Sequence, residues 1–209
     1  MTRLKLILVI VLTALVSIAL TSAFWLAAVN RGRLADRGSP PAGESPAQVL
    51  PIQVHDLLIG PTGLALPVPG VKREALTDTF TAARANGRVH DAIDIMAPRG
   101  TPVVAAAPGR LEKLFFSHGG GGITAYIRSP DGAWLYYYAH LDGYAPGLHE
   151  SQAMKQGDLV GRVGSTGDAN PAAPHLHFAI YRMAPGQKWW QGSAINPYPL
   201  LAGAKARTR

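Results

Sequence analysis

Cysteine is the first thing that this 209-residue sequence lacks. Its absence excludes disulfides, thiolate zinc sites and cysteine nucleophiles. Long amphipathic helices are also scarce, because 23 glycines and 17 prolines favour short strands and many turns. The composition therefore predicts a mainly β fold whose chemistry depends on other residue types.

A strong charge is lacking from the centre of the chain, although the net charge is +7. Residues 51–200 carry twelve basic and eleven acidic residues, whereas residues 1–50 and 201–209 each carry an excess of three positive charges. A nucleic-acid footprint places its basic excess on the folded surface, so we expect no nucleic-acid partner. The basic ends suit anionic lipid heads or an anionic wall polymer, or they are simply solubilising.

The N-terminus contains an uncharged run of 24 residues, Leu6–Val29. A bilayer span needs about 20 apolar residues, whereas the apolar core of an export signal has about 7–15. We therefore expect residues 1–29 to form a transmembrane helix that anchors the chain, with cleavage near Thr21-Ser22-Ala23 as the alternative. Basic residues flank the run on both sides, so the positive-inside rule leaves its orientation open.

Three further segments follow the predicted anchor. Residues 30–63 form a linker and an entry segment, in which residues 30 to about 51 are polar and rich in Pro, Gly and Ser, as is typical of a linker. Residues 64–200 are predicted to fold, and residues 201–209 form a basic tail. Alternation and turn residues predict strands at Thr101–Ala107, Arg110–Ser117, Ile123–Arg128, Trp134–Leu141 and His175–Tyr181. One to three helical turns are compatible with Glu74–Ala85, and a closing coil is expected around Trp189-Trp190 and Asn196-Pro197.

The candidate residues for a metal site are histidines and one aspartate. His175 and His177 are two residues apart on a predicted strand, so both imidazoles should face the same side. His90 and Asp94 are four apart, which is about 13 Å on a straight strand, so the chain must bend if both bind one metal. His140 ends the aromatic strand from Trp134, and the alternation predicts that it shares a face with Trp134, Tyr136 and Tyr138.

Other features have simpler interpretations. His55, His118 and His149 are expected to be structural or solvated, and Tyr136–Tyr138 to serve packing. Gly119–Gly122 lacks the following Lys-Ser/Thr of a phosphate loop, so we interpret it as a flexible hairpin loop. Gly157–Gly164 is similar to the hairpin of a biotinyl or lipoyl carrier domain, but it has no lysine at its tip.

Three separated motifs resemble those of the lysostaphin/LytM-type zinc endopeptidases of peptidoglycan. They are His90-Asp-Ala-Ile-Asp94-Ile-Met-Ala-Pro-Arg-Gly-Thr-Pro-Val103, Tyr138-Ala-His140-Leu141 and His175-Leu-His177-Phe178. Gly161–Gly167 matches the glycine-rich hairpin before the last motif, and the resemblance covers roughly residues 66–199. Two departures exist: Ala92 replaces the middle glycine of the first motif, and Phe80–Arg84 follows the family's Phe-Gly-x-x-Arg segment only loosely.

The resemblance implies antiparallel β-sheets that form an open groove, with one Zn²⁺ held by His90, Asp94 and His177 and a water as the fourth ligand. It implies catalytic roles for His140 and His175, one as general base and one as stabiliser of the intermediate, in either order. The zinc-bound water would attack peptide bonds in peptidoglycan stem peptides or cross-bridges. Thermolysin-like enzymes are a different class, since no His-Glu-x-x-His occurs here.

A substrate outside the cytoplasmic membrane implies a single-pass membrane protein with its domain on the periplasmic or extracellular side. Two questions stay open in the sequence. Some relatives are non-catalytic and bind and activate another cell-wall hydrolase, so a regulator with a protein partner is the alternative function. Ala92 would also be strained if its position required a positive φ.

Overall fold

A computed structural model of the chain describes residues 59–60, 62–84 and 87–203. The predicted anchor, nearly all of the linker and most of the basic tail lie outside these described residues. The described part contains nine strands and two short helices. The strands are β1 (Ile93–Met96), β2 (Pro102–Val104), β3 (Gly109–Ser117), β4 (Gly122–Arg128), β5 (Trp134–Tyr144), β6 (Ala153–Met154), β7 (Leu159–Val163), β8 (His175–Arg182) and β9 (Ser193–Ile195). A 3₁₀ helix spans Arg73–Ala75, and α1 spans Tyr198–Ala202.

All nine strands belong to one antiparallel sheet, which confirms the predicted mainly β fold. The main path through the sheet is β1-β8-β5-β4-β3-β6, while β7 pairs with β5 and β2, and β9 pairs with β8. The early strand β1 therefore lies beside the late strand β8. This pairing places Asp94 directly opposite His177.

The core lies on one face of this sheet. In β8, Leu176, Phe178 and Ile180 are at most 1% exposed and pack against other apolar side chains from β1, β4 and β5. Burying a large apolar side chain stabilises the fold by about 1.5–3 kcal/mol. Because strand side chains alternate, the residues between these three point to the opposite face, which is free to form a groove.

The segment before β1 differs from the prediction. Among the described residues near Glu74–Ala85, helical structure is limited to the 3₁₀ turn at Arg73–Ala75, and residues 80–84 instead run back along residues 88–91. The amide of His90 donates to the carbonyl of Ala82 at 3.0 Å, and the amide of Asp91 donates to that of Phe80 at 3.0 Å. Three threonines and an aspartate between residues 77 and 81 disfavour a helix, because their side chains are branched or compete for backbone hydrogen bonds.

Two further differences concern strand lengths. The strand expected at Thr101–Ala107 is shorter, Pro102–Val104, and Ser193–Ile195 forms β9 inside the expected closing coil. Among the residues that the structure describes, no helix is both long and apolar enough to cross a membrane. The predicted anchor at residues 1–29 is outside that set.

Candidate metal centre

A sharp bend brings His90 close to Asp94, as the spacing required. The bend falls at Asp91, which has φ of +55°, and not at Ala92. Aspartate tolerates the left-handed region better than most residues, since its short polar side chain can hydrogen-bond locally. Ala92 is fully buried and is not among the positive-φ residues of the described chain, so alanine fits where the motif has glycine.

Three imidazole nitrogens surround one oxygen of Asp94. The Asp94 Oδ1 atom lies 3.0 Å from His90 Nε2, 3.4 Å from His177 Nδ1 and 3.6 Å from His175 Nε2. His90 Nε2 is also 3.0 Å from His177 Nδ1. The ligand atoms of His90, Asp94 and His177 all lie within 4.8 Å of one another, so these three side chains could hold a metal ion.

The lone pairs of this cluster fit a cation. His90 donates its Nδ1–H to the Thr79 carbonyl at 2.9 Å, so its Nε2 lone pair faces the cluster. Asp94 Oδ1 is buried and has no hydrogen-bond partner in the described part of the chain. Ligands about 2.0–2.1 Å from a tetrahedral metal are roughly 3.3 Å apart, close to the distances observed. A cation would therefore satisfy the converging atoms.

The other oxygen of Asp94 is held from outside the cluster. Arg84 donates from its guanidinium to Asp94 Oδ2 at 2.7 Å. Burial alone would raise the pKa of Asp94, but His177, His90 and Arg84 together outweigh burial and hold this pKa well below its usual range. Burial lowers the pKa of His177, and also that of His140. Asp94 is therefore held as the carboxylate, and burial favours the neutral imidazole of His177, which are the forms that bind metals.

His140 reaches the cluster by breaking the alternation of its strand. The register between β4 and β5 shifts between Ile123 and Ala125, which pair with Leu141 and Tyr138, so β5 contains one extra residue there. His140 has φ of +58°, and its amide donates to the carbonyl of Gly121 at 2.7 Å. The prediction that His140 shares a face with Tyr136 and Tyr138 is therefore wrong. The bulge turns its ring to within 5.0 Å of the His175 ring and 5.5 Å of the His177 ring.

His140 and His175 are oriented in the same way. His140 Nδ1 lies 2.8 Å from the Thr166 carbonyl, and His175 Nδ1 lies 2.9 Å from the Ala173 carbonyl. A carbonyl only accepts, so each Nδ1 carries a proton, and in the neutral form of either ring Nε2 keeps its lone pair. All five side chains expected at the site are thus within one small region.

A cleft of about 560 Å³ opens above these histidines. The residues that line it include five that the sequence motifs do not assign to the site: Arg84, Arg88, Tyr137, Asp168 and Asn170. Tyr137 was interpreted as packing, yet its ring meets the His177 ring edge-on at 5.7 Å. Its position between Tyr136 and Tyr138 on an alternating strand was the available signal, since one of three consecutive tyrosines must face away from the other two.

The Gly119–Gly122 loop has a larger role than its interpretation as a flexible connection. The Gly120 carbonyl accepts from the Asp168 amide at 2.9 Å, and Gly121 packs directly against the Tyr137 hydroxyl. A side chain at Gly121 would displace that hydroxyl. The loop thus forms part of the wall of the cleft.

The remaining histidines lie elsewhere. His118 packs edge-on against Phe116, and His149 contacts the backbone of Glu150. Neither belongs to the metal cluster, which agrees with their expected structural or solvated roles. His55 lies outside the described residues.

Comparison with known proteins assigns this chain to a family. Residues 88–197 match Peptidase family M23. The chain is 32% identical over 144 residues to the L-Ala–D-Glu endopeptidase of Bacillus subtilis (strain 168), a match that covers 66% of this chain and 42% of that protein. It is 37% identical over 91 residues to the DD-carboxypeptidase/endopeptidase Mpg of Neisseria meningitidis serogroup B, covering 44% and 20%. The chain spans less than half the length of these relatives.

Solved structures agree with the fold. LytM from Ruminococcus gnavus superposes with a TM-score of 0.55 and 30% identity, covering 72% of this chain and 61% of that one. The catalytic domain of lysostaphin from Staphylococcus simulans gives a TM-score of 0.51 and 28% identity, covering 59% and 89%. The matched region, residues 88–197, is more than half of the chain and contains all five residues predicted for the site, so the chain belongs to Peptidase family M23.

Proposed function

We propose that this chain is a zinc endopeptidase that hydrolyses peptide bonds in the stem peptides or cross-bridges of peptidoglycan. The observation that carries the proposal is the cluster of His90, Asp94 and His177, with ligand atoms within 4.8 Å of one another at the base of an open cleft. The family supports the same reaction class.

His90, Asp94 and His177 would be the metal ligands. Two imidazoles and one carboxylate suit Zn²⁺, and three protein ligands leave one position open, as catalytic zinc requires. Zn²⁺ held there would supply Lewis-acid chemistry, activating water and polarising the scissile carbonyl. Thr79 orients His90 through its carbonyl, and Arg84 fixes the direction of Asp94 from the outer oxygen.

His140 and His175 would handle the proton. Each has its Nδ1 fixed to a backbone carbonyl and its Nε2 free to face the reacting atoms. One would accept the proton of the attacking water at Nε2, and the other, when it carries a proton at Nε2 as well as at Nδ1, would donate a hydrogen bond to the developing oxyanion. Their matching orientation supports either order of roles.

The substrate is proposed at the level of peptidoglycan peptides and not of one bond. The two relatives described above are named for different bonds, L-Ala–D-Glu in one and a DD bond in the other. Family membership therefore supports peptidoglycan as the substrate more strongly than it supports any one peptide bond within it.

We further propose that residues 1–29 anchor the chain in the membrane, with residues 64–200 outside the cytoplasm as the peptidase domain. The uncharged run of 24 residues supports an anchor, and the external location of peptidoglycan supports this orientation. The roughly 20-residue linker would span about 65–70 Å if fully extended, which allows the domain to approach the wall. Removal of the segment as an export signal is the alternative.

Metal content is the direct test of this proposal. We expect the purified chain to contain about one zinc per molecule by elemental analysis, and His90→Ala to lose it. His118→Ala is the matched control, since it removes a histidine outside the cluster. A folded wild-type chain that binds no metal would overturn the zinc site.

Activity separates the enzyme from the regulator. We expect release of peptide fragments from purified peptidoglycan, loss of release on chelation and recovery when zinc is returned. A non-catalytic regulator would release nothing alone yet stimulate a second wall hydrolase. The presence of all five site residues favours the enzyme.

A further inference from the structure

Aromatic rings continue along the groove face of the sheet beyond the metal cluster. Tyr137 on β5 lies opposite Tyr126 on β4, with their ring centroids 4.6 Å apart. Trp189 packs over Tyr126 at 4.7 Å, and Trp190 follows at 5.2 Å from Trp189. Tyr181 on β8 adds a fifth ring, 6.4 Å from Tyr137. We call these five side chains the aromatic row.

The aromatic row is continuous with the metal centre. Tyr137 borders both the metal cleft and a second cavity of about 240 Å³, which is lined by the rest of the row. On its other side, Tyr137 touches the ring of His177 at 5.7 Å. Ring-to-ring steps from His177 to Trp190 are 4.6–5.7 Å each, so a substrate bound at the metal could extend over the row.

The row is open to solvent at its outer end. Trp190 is 61% exposed, a large fraction for so large an aromatic side chain. Phe115, which contacts Trp189 at 5.4 Å, is 42% exposed. Exposed aromatic surfaces of this kind usually mark a binding site.

The polar groups along the row are neutral. They are tyrosine hydroxyls and the amide of Gln191, and no acidic or basic side chain is among the described residues that line this cavity. Burial raises the pKa of Tyr126, and that of Tyr181 to about 12, so both hydroxyls stay protonated at neutral pH. One cation lies close to the outer end of the row, since the amino group of Lys188 is over the ring of Trp190 at 5.4 Å.

We propose that the aromatic row is a subsite for the sugar rings of the glycan strand to which the peptide substrate is attached. Pyranose rings present flat C–H faces that stack on aromatic rings, and their hydroxyl and acetamido groups need neutral hydrogen-bond partners. Stem peptides carry carboxylates and amines, which a neutral row complements poorly. This inference rests on the proposed peptidoglycan substrate.

Binding of a peptide-free sugar tests the subsite without any cleavage. The probe is the tetrasaccharide of N-acetylglucosamine, titrated into the detergent-solubilised full chain by calorimetry. We expect saturable binding that Trp190→Ala weakens about tenfold, since one stacking surface is lost. Phe116→Ala is the matched control, because Phe116 is 48% exposed and neighbours Phe115 on β3, where alternation turns it to the opposite face. Absence of binding, or equal weakening by both variants, would overturn the subsite.

Cleavage kinetics distinguish this proposal from the proposed function. We expect Trp190→Ala to raise KM for glycan-linked stem peptides about tenfold and to leave KM for the same peptides without sugar unchanged. An equal effect on both substrates would assign the row to peptide binding and overturn the inference. If the wild-type chain cleaves neither substrate, the proposed function fails, and the sugar titration alone decides on the subsite.

Discussion

The two faces of β8 share one backbone, but one face contributes to the core and the other to the candidate metal centre. On one face, Leu176, Phe178 and Ile180 are buried in the core. On the other, His175 and His177 converge on Asp94 Oδ1, which has no hydrogen-bond partner in the described chain. Strand alternation thus places residues that stabilise the core and residues of the candidate site at adjacent positions. The difference implies that substitutions at adjacent positions should separate loss of activity from loss of stability.

The largest expected effect is on activity, at His177. We expect His177→Ala to lower the rate of peptidoglycan hydrolysis by roughly 10³-fold or more, because a lost ligand removes several kcal/mol of metal-assisted stabilisation. The free energy of unfolding, measured with chelator present for both proteins, should change little because the ring lies on the groove face. Loss of the cooperative unfolding transition in this variant would contradict the separation of the two faces.

The neighbouring residue should show the opposite pattern. Phe178 is fully buried, and its ring centroid lies 5.3 Å from that of Tyr138. We expect Phe178→Ala to lower the free energy of unfolding by about 3–5 kcal/mol, the cost of a lost aromatic side chain and its cavity. Denaturant unfolding measures this loss. At a temperature where the variant remains folded, its activity should fall far less than that of His177→Ala.

Regular strands account for the part of this picture that the sequence predicts. The common side of His175 and His177, and the apolar side of Leu176 and Phe178, both follow from the two-residue period. The need for a bend between His90 and Asp94 follows from distance alone. These local rules do not depend on knowing the neighbours of β8.

The features that the sequence does not predict arise where distant segments meet. The bulge that turns His140 into the cleft is accompanied by a hydrogen bond to the Gly121 carbonyl, and strand periodicity carries no sign of that contact. The left-handed residue is Asp91 because residues 80–84 pair with residues 88–91 across the bend. Arg84 reaches Asp94 only through the same pairing, so its role could not be assigned from its position in the chain.

A substitution at Arg84 tests whether a residue that is not a metal ligand also determines metal affinity. Arg84→Ala removes the donor to Asp94 Oδ2, and we expect metal affinity to fall about 10–100-fold, as is typical when a partner of a metal ligand is lost. Competition with a zinc chelator measures this change. Arg99→Ala is the matched control, because Arg99 has an equally exposed side chain, 45% against 44%, and pairs with Asp142 instead. Equal losses in both variants would show that Arg84 acts only through general electrostatics.

Substitution of Thr79 should give the smallest effect, because it removes one hydroxyl and leaves the backbone carbonyl in place. Its carbonyl orients His90, and its hydroxyl oxygen accepts the Asp94 amide hydrogen at 3.2 Å. Thr79→Val keeps the carbonyl and the branched shape, so we expect a loss of about 1 kcal/mol in unfolding free energy and only a few-fold loss of zinc affinity. Thr81→Val is the control, since Thr81 is exposed in the same segment. If Thr79→Val matched Arg84→Ala in zinc affinity, the hydroxyl contact would hold Asp94 as firmly as the ion pair does. The backbone amide of Asp94 in β1 would then contribute to zinc affinity as strongly as the ion pair of its side chain does.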